Sequence, residues 1–237
     1  MSEDRLKREV VRAALEELPD EGVVGLGTGS TSAFFLEGLG ALVRSGRRLV
    51  GVPTSERTRR DASALGIPLL DDEGPWRIAV TVDGADEVDS ALDLIKGGGG
   101  ALTREKIVNG ASAKNVIVVD EGKLSPRLGT RCAIPIEVLA FGHRMTKGHL
   151  DGFGTAVLRQ HEGAPVRTDA GNLLYDLRVE PIAEVAALDP QLRAIPGVVE
   201  TGLFVARADV VLVSSFTRSA GVRVERRLGQ PSRRSST

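Results

Sequence analysis

"VVGLGTGSTSAFFLEGLGALVR", residues 23–44, decides the fold. Its first five residues are a short apolar run, suited to a strand covered on both faces. Glycine, threonine and serine then crowd residues 27–32, and behind these cap-forming residues the apolar positions take a helical spacing. Strand, glycine turn, helix is the first half of a parallel crossover unit, and the pattern repeats outward. Upstream, Leu6, Val10, Val11, Ala14 and Leu15 form one face of a helix over 3–18, ended by Asp20-Glu21-Gly22. Downstream, "RRLVGVPTS" reads as a strand and "ERTRRDASALG" as a helix closed at Gly66. "IPLL" (67–70), "RIAVTV" (77–82) and "KNVIVVD" (114–120) read as further strands. Strands alternating with helices predict an α/β fold with right-handed crossovers and a mostly parallel sheet.

From about 131 the rhythm changes to a small α+β unit. "IPIEVL" and the alternating "TAVLRQ" and "NLLYDLRV", with "TDAGN" as a turn signal, are strands; "IAEVAALDPQLRAIPG" is a helix. "ADVVLVS", 208–214, reads as a buried strand returning to the main sheet. The expected division is 1–130 plus 204–216, 131–203, and a tail at 217–237. From Phe216 onward there are six arginines against one acid, Glu225, so the tail reads as mostly disordered, with a polyanion-binding arm as the alternative.

Composition excludes several classes. No apolar run approaches the roughly 20 residues that span a bilayer. The charged, periodic N-terminus is not a secretory signal, and the lone Cys132 fits a reducing, cytoplasmic setting. Aromatic residues make up 3%, too few for base stacking, so no nucleic-acid partner is expected. His143, His149 and His161 have no zinc spacing to one another and Cys132 has no partner cysteine, so no metal site is expected.

In parallel sheets, ligands sit at the carboxyl ends of the strands. Here those ends carry "GTGSTS", "PTSE", "DGADE" and "DEGK". Thr28, Gly29, Ser30 and Thr31 open a helix, where free amides and hydroxyls attract an anion. A dinucleotide fingerprint would need glycine where Ser30 or Ser32 stands, and an acid where the next strand ends in Pro53, Thr54 and Ser55. A single phosphate monoester fits better, and a purely structural turn is the alternative. Asp83 and Asp86 stand at a strand mouth, with Gly84 permitting a sharp turn; they can bind sugar hydroxyls or cap that turn. "KGGGGALTREK", 96–106, places four glycines between Lys96 and a helix. On that helix Glu105 shares a face with Ala101, Leu102 and Val108. A carboxylate in an apolar stripe is desolvated and its pKa rises toward the range of a general base. The alternative is a solvent-facing ion pair. The Lys96 ammonium suits a developing oxyanion, and Lys123 lands on the same sheet edge.

"GTGST", "DGADEVD" and "KGGGGALTREK", in that order, resemble ribose-5-phosphate isomerase of the A type, and "TDAGN" and "IPGVVETGLF" resemble its later half. The resemblance implies a Rossmann-like main domain, a smaller α+β domain, and a cytoplasmic homodimer or homotetramer without cofactor. It implies interconversion of D-ribose 5-phosphate and D-ribulose 5-phosphate in the pentose phosphate pathway. It places the proton-transferring base on Glu105, with Asp83 and Lys96 assisting. Sugar-phosphate binding falls on Thr28, Gly29, Ser30, Thr31, Asp83, Gly84, Ala85, Asp86, Lys96, Gly97, Gly98, Gly99, Lys123 and Lys7. The arginine-rich tail departs from the family. A non-catalytic sugar-phosphate sensor and an acyl-CoA transferase of similar architecture are the competing readings. A missing helix-turn-helix segment counts against the first, the phosphate loop against the second.

Overall fold

The computed structural model describes residues 3–217 and 221–229. The first half of the chain forms α1 (Glu3–Leu15), β1 (Glu21–Leu26), α2 (Ser30–Arg44), β2 (Arg48–Pro53), α3 (Glu56–Ala64), β3 (Ile78–Gly84), β4 (Glu87–Val88), β5 (Leu94–Ile95), α4 (Leu102–Gly110) and β6 (Ser112–Asp120). A 3-10 turn at Glu121–Lys123 precedes β7 (Ile134–Val138), α5 (His143–Leu150), β8 (Thr155–Leu158), β9 (Gln160–His161) and β10 (Ala164–Pro165). β11 (Leu173–Arg178), α6 (Val185–Arg193), β12 (Val198–Thr201), β13 (Leu203–Phe204), β14 (Val210–Thr217) and β15 (Gly221–Leu228) follow. The chain divides into two units: Met1–Gly84, Ile107–Lys123 and Ala206–Thr237; and Ala85–Lys106 and Leu124–Val205.

The first unit is built on a sheet of order β15-β14-β6-β3-β1-β2, parallel except for β15. Val10, Val11 and Ala14 of α1 and Phe35, Leu36 and Leu39 of α2 pack on Val24, Leu26, Val80, Val82, Val116 and Val118. Each large apolar side chain among these contributes about 1.5–3 kcal/mol by leaving water. Register aligns the strand ends. Leu26 lies opposite Pro53 and Val82, and Gly84 opposite Val118, so Gly27, Thr54 and Asp83 gather at one edge, as the sequence predicts. The return of 208–214 to this sheet also holds: β14 runs parallel to β6.

Two expectations fail here. "IPLL" is not a strand. It touches the sheet through one bridge, Gly51 to Leu69. Pro68 has no N–H to extend a ladder, and Ile67 is apolar because it is buried, 3% exposed. The tail expected to be disordered is, over Gly221–Leu228, an edge strand paired along the whole of β14. A backbone ladder does not need apolar side chains. Val224 packs against the core, and Arg226 Nε meets Glu17 Oε1 at 3.0 Å. Residues 218–220 and 230–237 of that tail lie outside the described residues.

The second unit has an antiparallel sheet β12-β7-β11-β8, a three-stranded sheet β13-β5-β4 and the β9–β10 hairpin. Its core includes Ile134, Ile136, Val138, Tyr175, Leu177, Leu192 and Leu203. The expected boundary at 131 is therefore displaced. Residues 85–106 belong with this unit because β5 pairs with β13 and β4 with β5, not with the parallel sheet.

Candidate active site

At the start of α2, the N-cap Gly29 has φ +144° and supplies no side-chain cap. The N-cap thus brings no side chain to the first-turn amides, and a Cβ at Gly29 would meet only open space. Ser30 is exposed and Thr31 half-buried. Thr28 is placed differently. Its hydroxyl lies 2.8 Å from both Thr54 Oγ1 and Ser55 Oγ and 3.1 Å from Thr58 Oγ1. Thr58 in turn donates to the Gly27 carbonyl, and Ser55 caps α3 by accepting from the Thr58 amide. This cluster shapes the loop from behind, and sequence reasoning missed it. "PTSE" marked the place but not the contact.

Asp83, 3% exposed, accepts from the Thr28 amide at 3.2 Å and the Gly84 amide at 2.8 Å. A Cβ at Gly27 would collide with this carboxylate, so glycine there is required for close approach. Lys7 and Lys123 both act on Glu3. The Lys7 hydrogen bond at 2.7 Å, then its charge, and more weakly Lys123, hold the Glu3 carboxyl below the usual range.

In the second unit, Asp86 Oδ2 accepts from the Gly98 amide at 2.7 Å, and a Cβ on Gly98 would stand 2.7 Å from Asp86 Oδ1. Gly97 and Gly100 have φ +104° and +82°, which explains glycine at both ends of the loop. Ala85 is half-buried, and Gly98 and Gly99 are exposed. The third aspartate of the motif, Asp89, caps the turn by accepting from the Ala91 and Asp93 amides, and burial pushes its carboxyl up.

Lys96 Nζ lies 3.1 Å from Glu105 Oε2, with the two side chains 4% and 3% exposed. Glu105 is thus buried, and the solvent-facing alternative fails. Ala101, Leu102 and Val108 are buried as the helical spacing predicts. The stripe is less apolar than expected, however, because the glutamate carries an ammonium partner. Burial penalises the carboxylate's charge while the ammonium favours it. Lys106 is buried as well. Its Nζ meets Glu200 at 2.9 Å and the Thr201 carbonyl at 2.7 Å. Burial opposes the Glu200 charge, yet Lys106 prevails and holds that carboxyl below its ordinary range. Phe204 lies under both ammonium groups, 5.4 Å from Lys96 and 4.9 Å from Lys106.

Two further residues of this unit carry no sequence motif. Glu137, 2% exposed, accepts from Thr103 of α4, from Thr168 at 2.8 Å and from Asn172 at 2.8 Å, which gives "TDAGN" its purpose. Arg159 reaches the glycine loop. His143 contacts Tyr175 at 2.7 Å. Among the described residues no group of three or more His, Cys, Asp or Glu could hold a metal ion, and no helix is long and apolar enough to cross a membrane.

A family model, ribose 5-phosphate isomerase A (phosphoriboisomerase A), matches residues 50–217. The ribose-5-phosphate isomerase A of Rhodopseudomonas palustris (strain BisB18) is 46% identical over 222 residues, 90% of this chain and 95% of the relative. The solved structure of ribose 5-phosphate isomerase A from Methanocaldococcus jannaschii superposes with a TM-score of 0.86 at 38% identity, covering 95% of this chain and all of the other. A D-ribose-5-phosphate isomerase solved in complex with phospho-erythronic acid gives a TM-score of 0.89 at 38% identity, covering 96% of this chain and all of the other. With sequence and fold matched over nearly its whole length, the chain belongs to the ribose-5-phosphate isomerase A family.

Proposed function

We propose that this chain interconverts D-ribose 5-phosphate and D-ribulose 5-phosphate, the activity of the family to which it belongs, with Glu105 as the base. The buried Lys96–Glu105 pair at 3.1 Å carries this reading. A buried ion pair adds little stability over apolar packing, so a chemical role accounts for it better than a structural one.

In the reaction the Glu105 carboxylate takes the proton from C2 of the open-chain aldose. The C2 electron pair moves into the C1–C2 bond, and the C1 carbonyl oxygen gains the negative charge. Lys96 and glycine-loop amides stabilise that oxygen. A proton passes from the C2 hydroxyl to O1, the C2 carbonyl forms, and Glu105 returns its proton to C1. Asp83 and Asp86 hold hydroxyls, and Asp83 assists ring opening. The phosphate is held by Ser30, Thr31 and the first-turn amides of α2, with Thr28 shaping the loop and Lys7 and Lys123 supplying positive charge. Phospho-erythronic acid, the ligand of one related protein, supports this division. It joins a phosphate to a planar carboxylate, as the enediolate joins a phosphate to a planar O–C–C–O group. The pentose phosphate pathway, a cytoplasmic setting and a homodimer or homotetramer accompany the reading.

The test is a coupled assay of purified protein with ribose 5-phosphate, with and without chelator. Turnover undiminished by chelator is expected, with phospho-erythronic acid competing. Absence of turnover would remove the proposal.

A further inference from the structure

Four consecutive glycines have no side chains to anchor them, and their backbone is freer than any other. A loop of that kind holds one shape only through partners to its amides and carbonyls. Within the loop, the Gly100 amide closes a turn on the Gly97 carbonyl at 3.0 Å. From one side Asp86 takes the Gly98 amide. Further contacts come from Arg159, between β8 and β9. Its Nη1 donates to the Gly97 carbonyl at 3.0 Å and to the Gly98 carbonyl at 3.1 Å. The other side of the same guanidinium is held by Asp176 of β11, through Nε at 2.9 Å and a close Nη2 contact. Arg159 is itself tied to the sheet, its amide donating to the Leu174 carbonyl at 2.8 Å and its carbonyl accepting from Val166 at 2.9 Å.

From these contacts we infer that Arg159 is a positioning residue for the reaction: it sets the glycine loop that follows Lys96. Drawing two successive carbonyls onto one guanidinium commits the peptide planes of the loop, and so the direction of the amides beyond them. Asp176 balances the charge of Arg159, so the contribution is geometry more than field. A lysine cannot replace it, because one ammonium lacks the planar fork that meets two carbonyls and a carboxylate together. The inference rests on the catalytic reading of 96–105.

The experiment compares Arg159→Lys, Arg159→Met and Asp176→Asn with Glu105→Gln and the parent enzyme in ribose 5-phosphate turnover. Thermal unfolding and hydrogen exchange of the Gly98–Gly100 amides are followed on the same proteins. For both Arg159 variants kcat should fall about 10–100-fold, the cost of a reacting group misplaced by roughly an ångström. KM should stay within about threefold, since the phosphate loop is untouched. Loop amides should exchange faster while the sheet amides do not. A purely structural role would lower the unfolding temperature and leave kcat per folded molecule unchanged, and that result overturns the inference. Should Arg159→Met fail to fold, Arg159→Lys and Asp176→Asn decide. Glu105→Gln inactive beside a fully active Arg159→Lys overturns the brace alone. Glu105→Gln with parental turnover overturns the catalytic reading, and the brace with it.

Discussion

The loop at 28–31, proposed to hold the phosphate, and the segment at 96–105, proposed to carry the proton transfer, reach their chemistry by different routes. The first uses the end of a helix. Its donors are amides that any α-helix leaves unpaired at its start, made available because Gly29 supplies no cap. The second uses residues that have no reason to meet until the chain folds. Lys96 and Glu105 pair across four glycines, Asp86 and Arg159 grip the loop, and Glu137 ties α4 to the 168–172 turn. Local structure suffices to attract a charged group. Proton transfer at a chosen carbon needs tertiary structure, because it depends on position to a fraction of an ångström and on exclusion of water.

That contrast can be broken most directly at Glu105. Glu105→Gln keeps the shape and removes the proposed base, so kcat should drop at least about 10²-fold with KM nearly kept. Parental turnover would assign the base elsewhere. The loop side is broken by Ser30→Ala with Thr31→Ala. Loss of hydrogen bonds to a charged group, each about 1.5–3 kcal/mol, should raise KM for the phosphorylated sugar tenfold or more and leave kcat within a few-fold. An unchanged KM would take the phosphate away from α2.

Ser55→Ala sharpens the comparison by asking how local the loop is. Losing the α3 cap should lower stability by about 1 kcal/mol in urea unfolding. KM should rise less than in the double variant. A KM rise matching the double variant would show that the loop depends on its hydroxyl support as much as on the helix end.

The smallest effect concerns acid stability at the far side of α4. The Glu200 pKa is depressed in the folded state, so its contribution is present above the unfolded value and lost as pH falls below the ordinary carboxylate range through the folded one. Lys106→Met should flatten that acid limb of the unfolding curve. A limb of unchanged slope would mean other carboxylates dominate it.

Much of the fold is legible in the sequence because its signals are local. Apolar runs, helical spacing and glycine turns mark β1, α2, β2, α3, β3, β6 and β14. β15 is hidden because Arg223, Arg226 and Arg227 resemble a solvated tail, whereas its pairing is made by backbone along β14. "IPLL" misleads in the opposite sense, since burial and pairing share one apolar signature. Among the candidate residues, Asp83, Asp86, Lys96 and Glu105 stand out through motif and spacing. Arg159 and Glu137 do not, because neither carries a motif and each draws a decisive contact from more than 30 residues away, the Gly97 carbonyl and the Thr103 hydroxyl.

The sequence by itself determined where strands and helices alternate, which strand ends carry acids, hydroxyls and glycines, and that a helix would start beside Gly29. Periodicity and backbone hydrogen bonding need only near neighbours. Only the tertiary structure decided that Glu105 is buried against Lys96 instead of facing water, that 85–106 joins the second unit, and that an arginine outside every motif holds the glycine loop. Desolvation and long-range pairing are properties of the packed chain, and no window of residues contains them.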